Sequence, residues 1–403
     1  MDNYTTLIFI TLLIFIYALY SKTFDSSPIT APMVFVAMGA LVGPLGLNLF
    51  NLDVRGEIIH LLTEITLILV LFVDASTINL KELLKDRKVP IRLLSIGLPL
   101  SAIVGSLVAY LMFPEIGIWV LILMALILSP TDAALGQAVV QSKNVPKKIR
   151  QWISVESGLN DGIILPVIFA VLAVITADSV DTENKRWVVY LIQQITLGTI
   201  IGALVGWIGG TLISYYADKD TMNSTFQRLV AGSLAVLSFA LAEIVHGNGF
   251  IAAFAGGLLF GYSVKSDEIR ERIQEFGEAE GQQLILFVFL IFSMVMLPQA
   301  VEHWDIKAFI YSLLSLTFIR MVPVAISLIG TKLDIKSILF IGWFGPRGIA
   351  SVLYLLLVVN IIGIEGYEYI LSIIILTVML SIFLHGMTAV PFSKSFKKDK
   401  IEN

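Results

Sequence analysis

The run Ser129-Pro130-Thr131-Asp132 lies inside one long apolar stretch of this chain, and Ser154-Val155-Glu156-Ser157-Gly158-Leu159-Asn160-Asp161-Gly162 lies inside the next. Carboxylates are rare in such stretches, because a charge there costs roughly 3 kcal/mol on membrane-insertion scales. The rest of the sequence therefore predicts a scaffold that carries these two runs to the middle of a membrane.

Composition supports a membrane scaffold. Of the 403 residues, 57% are hydrophobic and only 14% are charged, whereas a soluble domain is about one quarter charged. The apolar stretches repeat along the chain, each near the ~20 residues that cross the hydrocarbon core as a helix. Strands of a membrane β-barrel would instead be ~10-residue alternating segments. The sequence thus predicts an all-α polytopic membrane protein, and the absence of cysteine excludes disulfides and thiolate metal sites.

We predict thirteen transmembrane helices. Placing the N-terminus outside leaves 21 Lys and Arg residues in cytoplasmic segments and 4 in outer segments. The positive-inside rule requires this asymmetry, so the C-terminus is expected in the cytoplasm. Residues 392–403 are expected to form a short basic cytoplasmic tail with no regulatory domain attached. The predicted spans are about 5–21, 29–50, 57–79, 91–113, 117–140, 149–177, 187–216, 227–246, 249–264, 283–300, 306–330, 335–359 and 367–391.

Helix breakers interrupt two spans, the fifth at Ser129-Pro130-Thr131 and the twelfth at Gly345-Pro346-Arg347-Gly348. Proline removes a backbone donor, and glycine tolerates open turns. Irregular backbone at membrane depth survives only where it lines a cavity or is buried in protein. Matching breaks in two halves predict a transporter of two six-helix inverted repeats, spans 1–6 and 8–13, joined by span 7. Span 7 carries a glycine ridge for close packing, formed by Gly198, Gly202, Gly206 and Gly210.

The sixth span gathers oxygen ligands. On a helix, Ser157 and Asp161 share a face, and Asn160 lies beside them. Hydroxyl, amide and carboxylate oxygens suit a small alkali cation that has lost most of its water. The broken fifth span adds backbone carbonyls, Thr131 and a second carboxylate from Asp132. We therefore predict that these five residues form a site for a cation or a proton.

The Asp161 carboxylate can hold a proton instead of a cation. A site that binds either species, but not both, couples the two flows. Because position 160 is Asn rather than a second acid, one proton exchanges for one cation and no net charge moves. Glu156 and Arg320 are expected to form a buried structural ion pair rather than to join the ligands.

These residues resemble the sodium/proton exchanger superfamily, in its electroneutral NhaP/NHE branch. The resemblance is carried by the runs Thr131-Asp132, Glu156-Ser157 with Asn160-Asp161, Ile29-Thr30-Ala31-Pro32-Met33, Phe72-Val73-Asp74, Gly249-Phe250-Ile251-Ala252-Ala253 and Gly345-Pro346-Arg347-Gly348. It implies that Asp161 carries the cation and the proton, surrounded by the other four predicted ligands, and that Asp74 can line the cytoplasmic funnel. It also implies a Glu–Arg pair, in which Arg320 is the expected partner of Glu156 and Arg347 the alternative.

The resemblance further implies an NhaA-like antiporter fold in a homodimer. Spans 4–6 and 11–13 would form a core domain that moves as an elevator against a dimerisation domain of spans 1–3 and 7–10. Spans 1 and 8 would contribute to the dimer face. The expected activity is electroneutral Na⁺ or Li⁺/proton antiport in the plasma (inner) membrane of a prokaryote. Membrane lipids are expected partners, and no cofactor, nucleic acid or catalytic residue is expected.

Three other functions are compatible with parts of the pattern. Potassium/proton antiport is the main alternative, because these ligand types do not separate Na⁺ from K⁺. A cation channel would also use intramembrane acids, but channels build a filter from symmetric copies of one loop. An intramembrane aspartic protease would need paired carboxylates that share a proton, and no Gly-x-Gly-Asp run occurs in the sequence.

Overall fold

The structure is a computed structural model that describes residues 8, 11–20, 27–50, 56–78, 87–132, 135–140, 142–178, 186–219 and 221–399. Every regular element in these ranges is helical, which confirms the all-α class. Seven of the described helices are long and apolar enough to cross a membrane, and six shorter helices are also apolar. The number of crossings and the orientation of the termini stay predictions.

The helices are numbered after the predicted spans, each of which overlaps at least one of them. The first half comprises α1 (Thr11–Tyr20), α2 (Ala31–Val42), α3 (Glu57–Thr77), α4 (Lys88–Met112), α5a (Ile118–Ile127), α5b (Gln137–Val140) and α6 (Lys147–Asp178). The second half comprises α7 (Arg186–Asp218), α8 (Ser224–Ile244), α9 (Gly249–Ser263), α10 (Asp267–Val301), α11a (Ile306–Leu316), α11b (Phe318–Ser327), α12a (Ile335–Trp343), α12b (Ile349–Ile362) and α13 (Glu368–Asp399).

Both predicted helix breaks are present. Helix α5a ends before Pro130 and α12a ends before Pro346, where proline supplies no backbone donor. The two interrupted spans contact each other at this level, because the backbone N–H of Asp132 donates to the carbonyl of Pro346 at 2.9 Å. The breaks therefore place irregular backbone from both halves of the chain at one point.

Side-chain caps fix where three helices of the second half begin. The side chains of Asn248, Asp305 and Asp334 accept hydrogen bonds from backbone N–H groups in the first turns of α9, α11a and α12a. At Asp334, which is exposed and precedes α12a, the hydroxyl and N–H of Ser337 both donate to the carboxylate and hold the pKa of Asp334 below its ordinary value. These caps satisfy donors that a helix leaves open at its N-terminus.

The helices pack in two groups. Helices α2, α3 and α7–α10 contact one another, as do α4–α6 and α11–α13. The groups meet where α6 contacts α3, α7 and α9, where α12b contacts α3 and α10, and where α13 contacts α2 and α10. The predicted glycine ridge of α7 faces α9, because a side chain added at Gly202 or Gly206 would collide with the backbone of Ala252 or Gly256.

Other features differ from the sequence prediction. Helix α2 stops before Gly43-Pro44, short of the predicted bound at 50, because these two residues end a helix efficiently. Span 11 is split at Thr317, and α4 contains a π-helical turn over Leu93–Gly97. Helix α10 runs from Asp267 to Val301 without interruption, so it begins well before the predicted start of span 10 at 283.

Candidate ion-binding site

The unwound segment after α5a lies against α6. Thr131 Oγ1 is 3.0 Å from Ser157 Oγ and accepts a hydrogen bond from Asn160 Nδ2 at 2.7 Å. All three side chains are buried. One hydroxyl group thus brings together three of the five predicted ligands.

Two neighbouring residues of α6 each carry an acceptor oxygen that has no hydrogen-bond donor among the described residues. These oxygens are Asn160 Oδ1 and Asp161 Oδ1, and both are buried. Buried polar atoms are nearly always satisfied; a bound cation or a water can satisfy both oxygens, and a proton can satisfy the one on Asp161. The donor set therefore fits an alkali cation or a protonated carboxyl.

Asp132 lies in the same segment, but its carboxylate is bonded at the start of α12b. Its Oδ2 accepts a hydrogen bond from the backbone N–H of Ile349 at 2.7 Å. The absence of a side chain at Gly348 makes room, since a Cβ there would collide with Oδ2 of Asp132. An anion in this position stabilises a helix N-terminus.

Arg347 occupies the complementary position at the end of α5a. Its Nη1 donates to the carbonyls of Ser129 at 3.0 Å and Pro130 at 3.2 Å, and its backbone N–H donates to Ser381 Oγ at 2.7 Å. A cation stabilises carbonyls at a helix C-terminus. Each interrupted span therefore supplies a charge to the broken helix of the other. The Asp132 carboxylate lies at the N-terminus of α12b, and the Arg347 guanidinium lies at the carbonyls that follow α5a.

Glu156 pairs with Arg320 of α11b. The two guanidinium nitrogens lie 2.6 and 2.9 Å from the two carboxylate oxygens, and both side chains are buried. Such a bidentate, charge-assisted pair is strong and directional. Both oxygens of Glu156 are engaged in this pair, whereas Arg347 donates to the backbone carbonyls described above.

Asp74 approaches the site from α3. Its backbone lies close to α6, because a Cβ added at Gly158 would be 3.4 Å from the Asp74 carbonyl oxygen. The half-buried Asp74 and the buried Asp132 both act electrostatically on Asp161. Three carboxylates from three predicted spans thus attract cations to one region, and the role of Asp74 in a cytoplasmic funnel stays a prediction.

Sequence reasoning missed hydroxyl side chains on the second interrupted span. Ser351 Oγ donates to the carbonyl of Ile127 at 2.7 Å, and Tyr354 OH donates to the carbonyl of Asp161 at 2.9 Å. These two residues are three apart, so they share a face of α12b. Nothing in the local sequence of α12b indicates these two contacts, and the same holds for Ser381, because each partner lies on another span.

A model of the family described as "Sodium/hydrogen exchanger, transmembrane" matches residues 8–395. The chain belongs to the sodium/hydrogen exchanger family. Among relatives, Na(+)/H(+) antiporter 2 of Zygosaccharomyces rouxii is 26% identical over 79% of this chain and 41% of the relative. K(+)/H(+) antiporter NhaP2 of Shewanella baltica is 23% identical over 66% of this chain and 45% of the relative. The chain thus spans about half or less of the length of these two exchangers.

Among solved structures, the sodium proton antiporter MjNhaP1 from Methanocaldococcus jannaschii has the same fold. The TM-score is 0.79, with 20% identity over 98% of this chain and 99% of that chain. This likeness confirms the predicted antiporter fold for this member of the exchanger family. The roles of individual site residues stay predictions.

Proposed function

We propose that this chain exchanges Na⁺ or Li⁺ for protons across the membrane, with Asp161 binding the cation and the proton in turn. The proposal rests on the two buried acceptors, Asn160 Oδ1 and Asp161 Oδ1, that have no donor among the described residues. Membership of the sodium/hydrogen exchanger family supports it.

Competition for one carboxylate explains how the two flows are coupled. When a proton occupies Asp161, the carboxyl is neutral and holds a cation weakly; a bound cation, in turn, disfavours protonation. Asn160 adds a neutral amide oxygen instead of a second titratable group. We therefore propose exchange of one proton for one cation, so that transport moves no net charge.

The packing of the helices supports an elevator mechanism. We propose that α4–α6 and α11–α13 form a core domain that carries the site, and that α1–α3 and α7–α10 form the dimerisation domain. Helices α1 and α8 expose large apolar side chains, including Phe15 and Leu237, which suits contact with lipid or with a second copy of the chain. The homodimer is part of this proposal.

Potassium is the second candidate cation. A relative from Shewanella baltica is named a K(+)/H(+) antiporter, which supports this alternative. The same oxygen ligands can also bind either ion. Selectivity must therefore be measured on this chain.

Exchange can be tested in proteoliposomes with an imposed pH gradient and an enclosed pH-sensitive dye. We expect NaCl and LiCl to dissipate the gradient at a rate that does not change with the clamped membrane potential. Asp161→Asn is expected to abolish exchange. Glu64→Gln, which removes one carboxylate within α3 outside the candidate site, serves as the matched control and should remain active.

Each other outcome contradicts a named part of the proposal. A response to KCl alone would replace Na⁺ by K⁺ as the substrate. A rate that depends on membrane potential would refute one-for-one exchange. Cation flux without proton movement, or full activity in Asp161→Asn, would refute exchange at a single carboxylate.

A further inference from the structure

Tyr354 connects α12b to the backbone of the residue proposed to bind the ion. Its side chain is fully buried, and its hydroxyl donates to the carbonyl of Asp161 at 2.9 Å. The contact joins residues that are 193 positions apart in sequence. The tyrosine therefore acts on the position of Asp161 and leaves the carboxylate itself available.

The backbone around Asp161 is a weak part of α6. Pro166 lies inside the helix and has no N–H to donate to the carbonyl of Gly162. Gly162 itself adds conformational freedom, and its missing side chain admits the ring of Phe254 from α9, which a Cβ would strike. Because α6 lacks one backbone hydrogen bond here and carries a glycine, it holds the Asp161 backbone less firmly than a regular helix would. A hydrogen bond from another helix can therefore determine the position of Asp161.

Helix α12b bonds to both acidic residues of the site. Its first residue, Ile349, donates its N–H to the Asp132 carboxylate, and Tyr354 follows five residues later. At about 1.5 Å per residue, five residues correspond to roughly 7.5 Å along the helix axis. A rigid stretch of helix thus sets the distance between the two contacts and, with it, the placement of Asp161 relative to the Thr131 segment.

We propose that Tyr354 is a positioning residue that sets the cation preference of the Asp161 site. This inference rests on the proposed exchange function. A site for a small dehydrated cation distinguishes ions by the placement of its oxygens, and ligands on a loosened helix adapt to ions of different radius. The Tyr354 hydroxyl holds the Asp161 oxygens at the spacing that favours the smaller cations over K⁺.

Tyr354→Phe removes one oxygen atom and tests the proposal. We expect the KM for Na⁺ to rise at least threefold and the preference for Na⁺ over K⁺ to fall, with a smaller change in maximal rate. Tyr311→Phe is the matched control, because Tyr311 is also fully buried and its hydroxyl also donates to a carbonyl, that of Gly105, at 3.2 Å on α4. This control should keep the wild-type KM and ion preference.

The readouts are initial exchange rates for Na⁺, Li⁺ and K⁺ in proteoliposomes, and the Na⁺-dependent rise in Tm of the purified protein. A wild-type ion preference in Tyr354→Phe would overturn the inference, as would a loss of maximal rate with unchanged KM values. A variant that does not fold would also overturn it, because the hydroxyl would then serve the fold rather than ion selection. If the wild-type protein itself exchanges no cation, the proposed function fails instead.

Discussion

Glu156 and Asp161 are five residues apart on α6 and are held in opposite ways. Both oxygens of Glu156 bind the guanidinium of Arg320, whereas Asp161 Oδ1 has no donor in the described part of the chain. A carboxylate paired with a guanidinium keeps its charge and its position, whereas a carboxylate oxygen without a protein donor can bind a proton or a cation in turn. The same residue type therefore has a structural role at one position and is available for an ion at the other.

Loss of one partner from the buried pair is expected to destabilise the protein strongly. Glu156→Gln leaves the Arg320 guanidinium buried without a carboxylate, so we expect the free energy of unfolding to fall by about 3–5 kcal/mol. The double variant Glu156→Leu with Arg320→Met removes both charges and should lose much less. Unfolding of the purified proteins in detergent measures both. A single variant as stable as the wild type, or a double variant no more stable than the single one, would contradict this account.

At the scale of elements, the sequence predicted features that local chemistry determines. Pro130 and Pro346 predicted the two broken helices. The spacing of Ser157 and Asn160 predicted the polar face that Thr131 contacts. The split at Thr317 had no such signal, because no proline or glycine marks it.

Contacts between distant segments also lay beyond the sequence. The bond from Ile349 to Asp132 joins residues 217 positions apart, and nothing in either local pattern specifies the other. For this reason Asp132 was expected among the cation ligands, whereas the structure shows that one of its oxygens also caps α12b. Tyr354 was missed for the same reason, since its partner lies on α6.

The start of α12b should tolerate no added side chain. In Gly348→Ala the new methyl group would strike Asp132 Oδ2, which the N–H of Ile349 holds in place. Overpacking of this kind costs about 1–3 kcal/mol, so we expect a lower Tm and at least a tenfold loss of exchange rate. Gly117→Ala is the control, because, apart from its chain neighbours, no atom of the described residues lies within 4 Å of its added Cβ. A Gly348→Ala variant with wild-type Tm and rate would show that the cap can move freely.

At the scale of the molecule, α10 is one long helix that lies beside the proposed core domain. Its 35 residues extend about 52 Å at 1.5 Å per residue, well beyond the ~30 Å hydrocarbon core. It packs on α2, α3 and α8 of its own group and also contacts α12b and α13 of the other. A long helix shared in this way can serve as a fixed surface along which the other group slides.

An elevator requires the two groups of helices to shift against each other, so a bridge between them should stop exchange. His60 of α3 and Asn360 of α12b are suitable positions, because Asn360 Nδ2 lies 3.2 Å from His60 Nδ1 and both side chains are exposed. The chain has no native cysteine, so a thiol-specific reagent reacts only with introduced residues. We expect His60→Cys with Asn360→Cys, joined by a short reducible bifunctional thiol reagent, to lose exchange and to regain it on reduction.

The control bridge lies within one group. The hydroxyl of Tyr369 on α13 donates to the carboxylate of Asp305, the cap of α11a, at 3.0 Å, and both side chains lie toward the surface. Asp305→Cys with Tyr369→Cys, joined by the same reagent, should therefore keep exchanging, because its two ends move together. Mass spectrometry establishes the extent of cross-linking, and exchange is then measured in proteoliposomes. Undiminished exchange across a complete His60–Asn360 bridge would mean that the two groups do not move past each other during transport, and a mechanism confined to the crossing of α5a and α12b would replace the elevator.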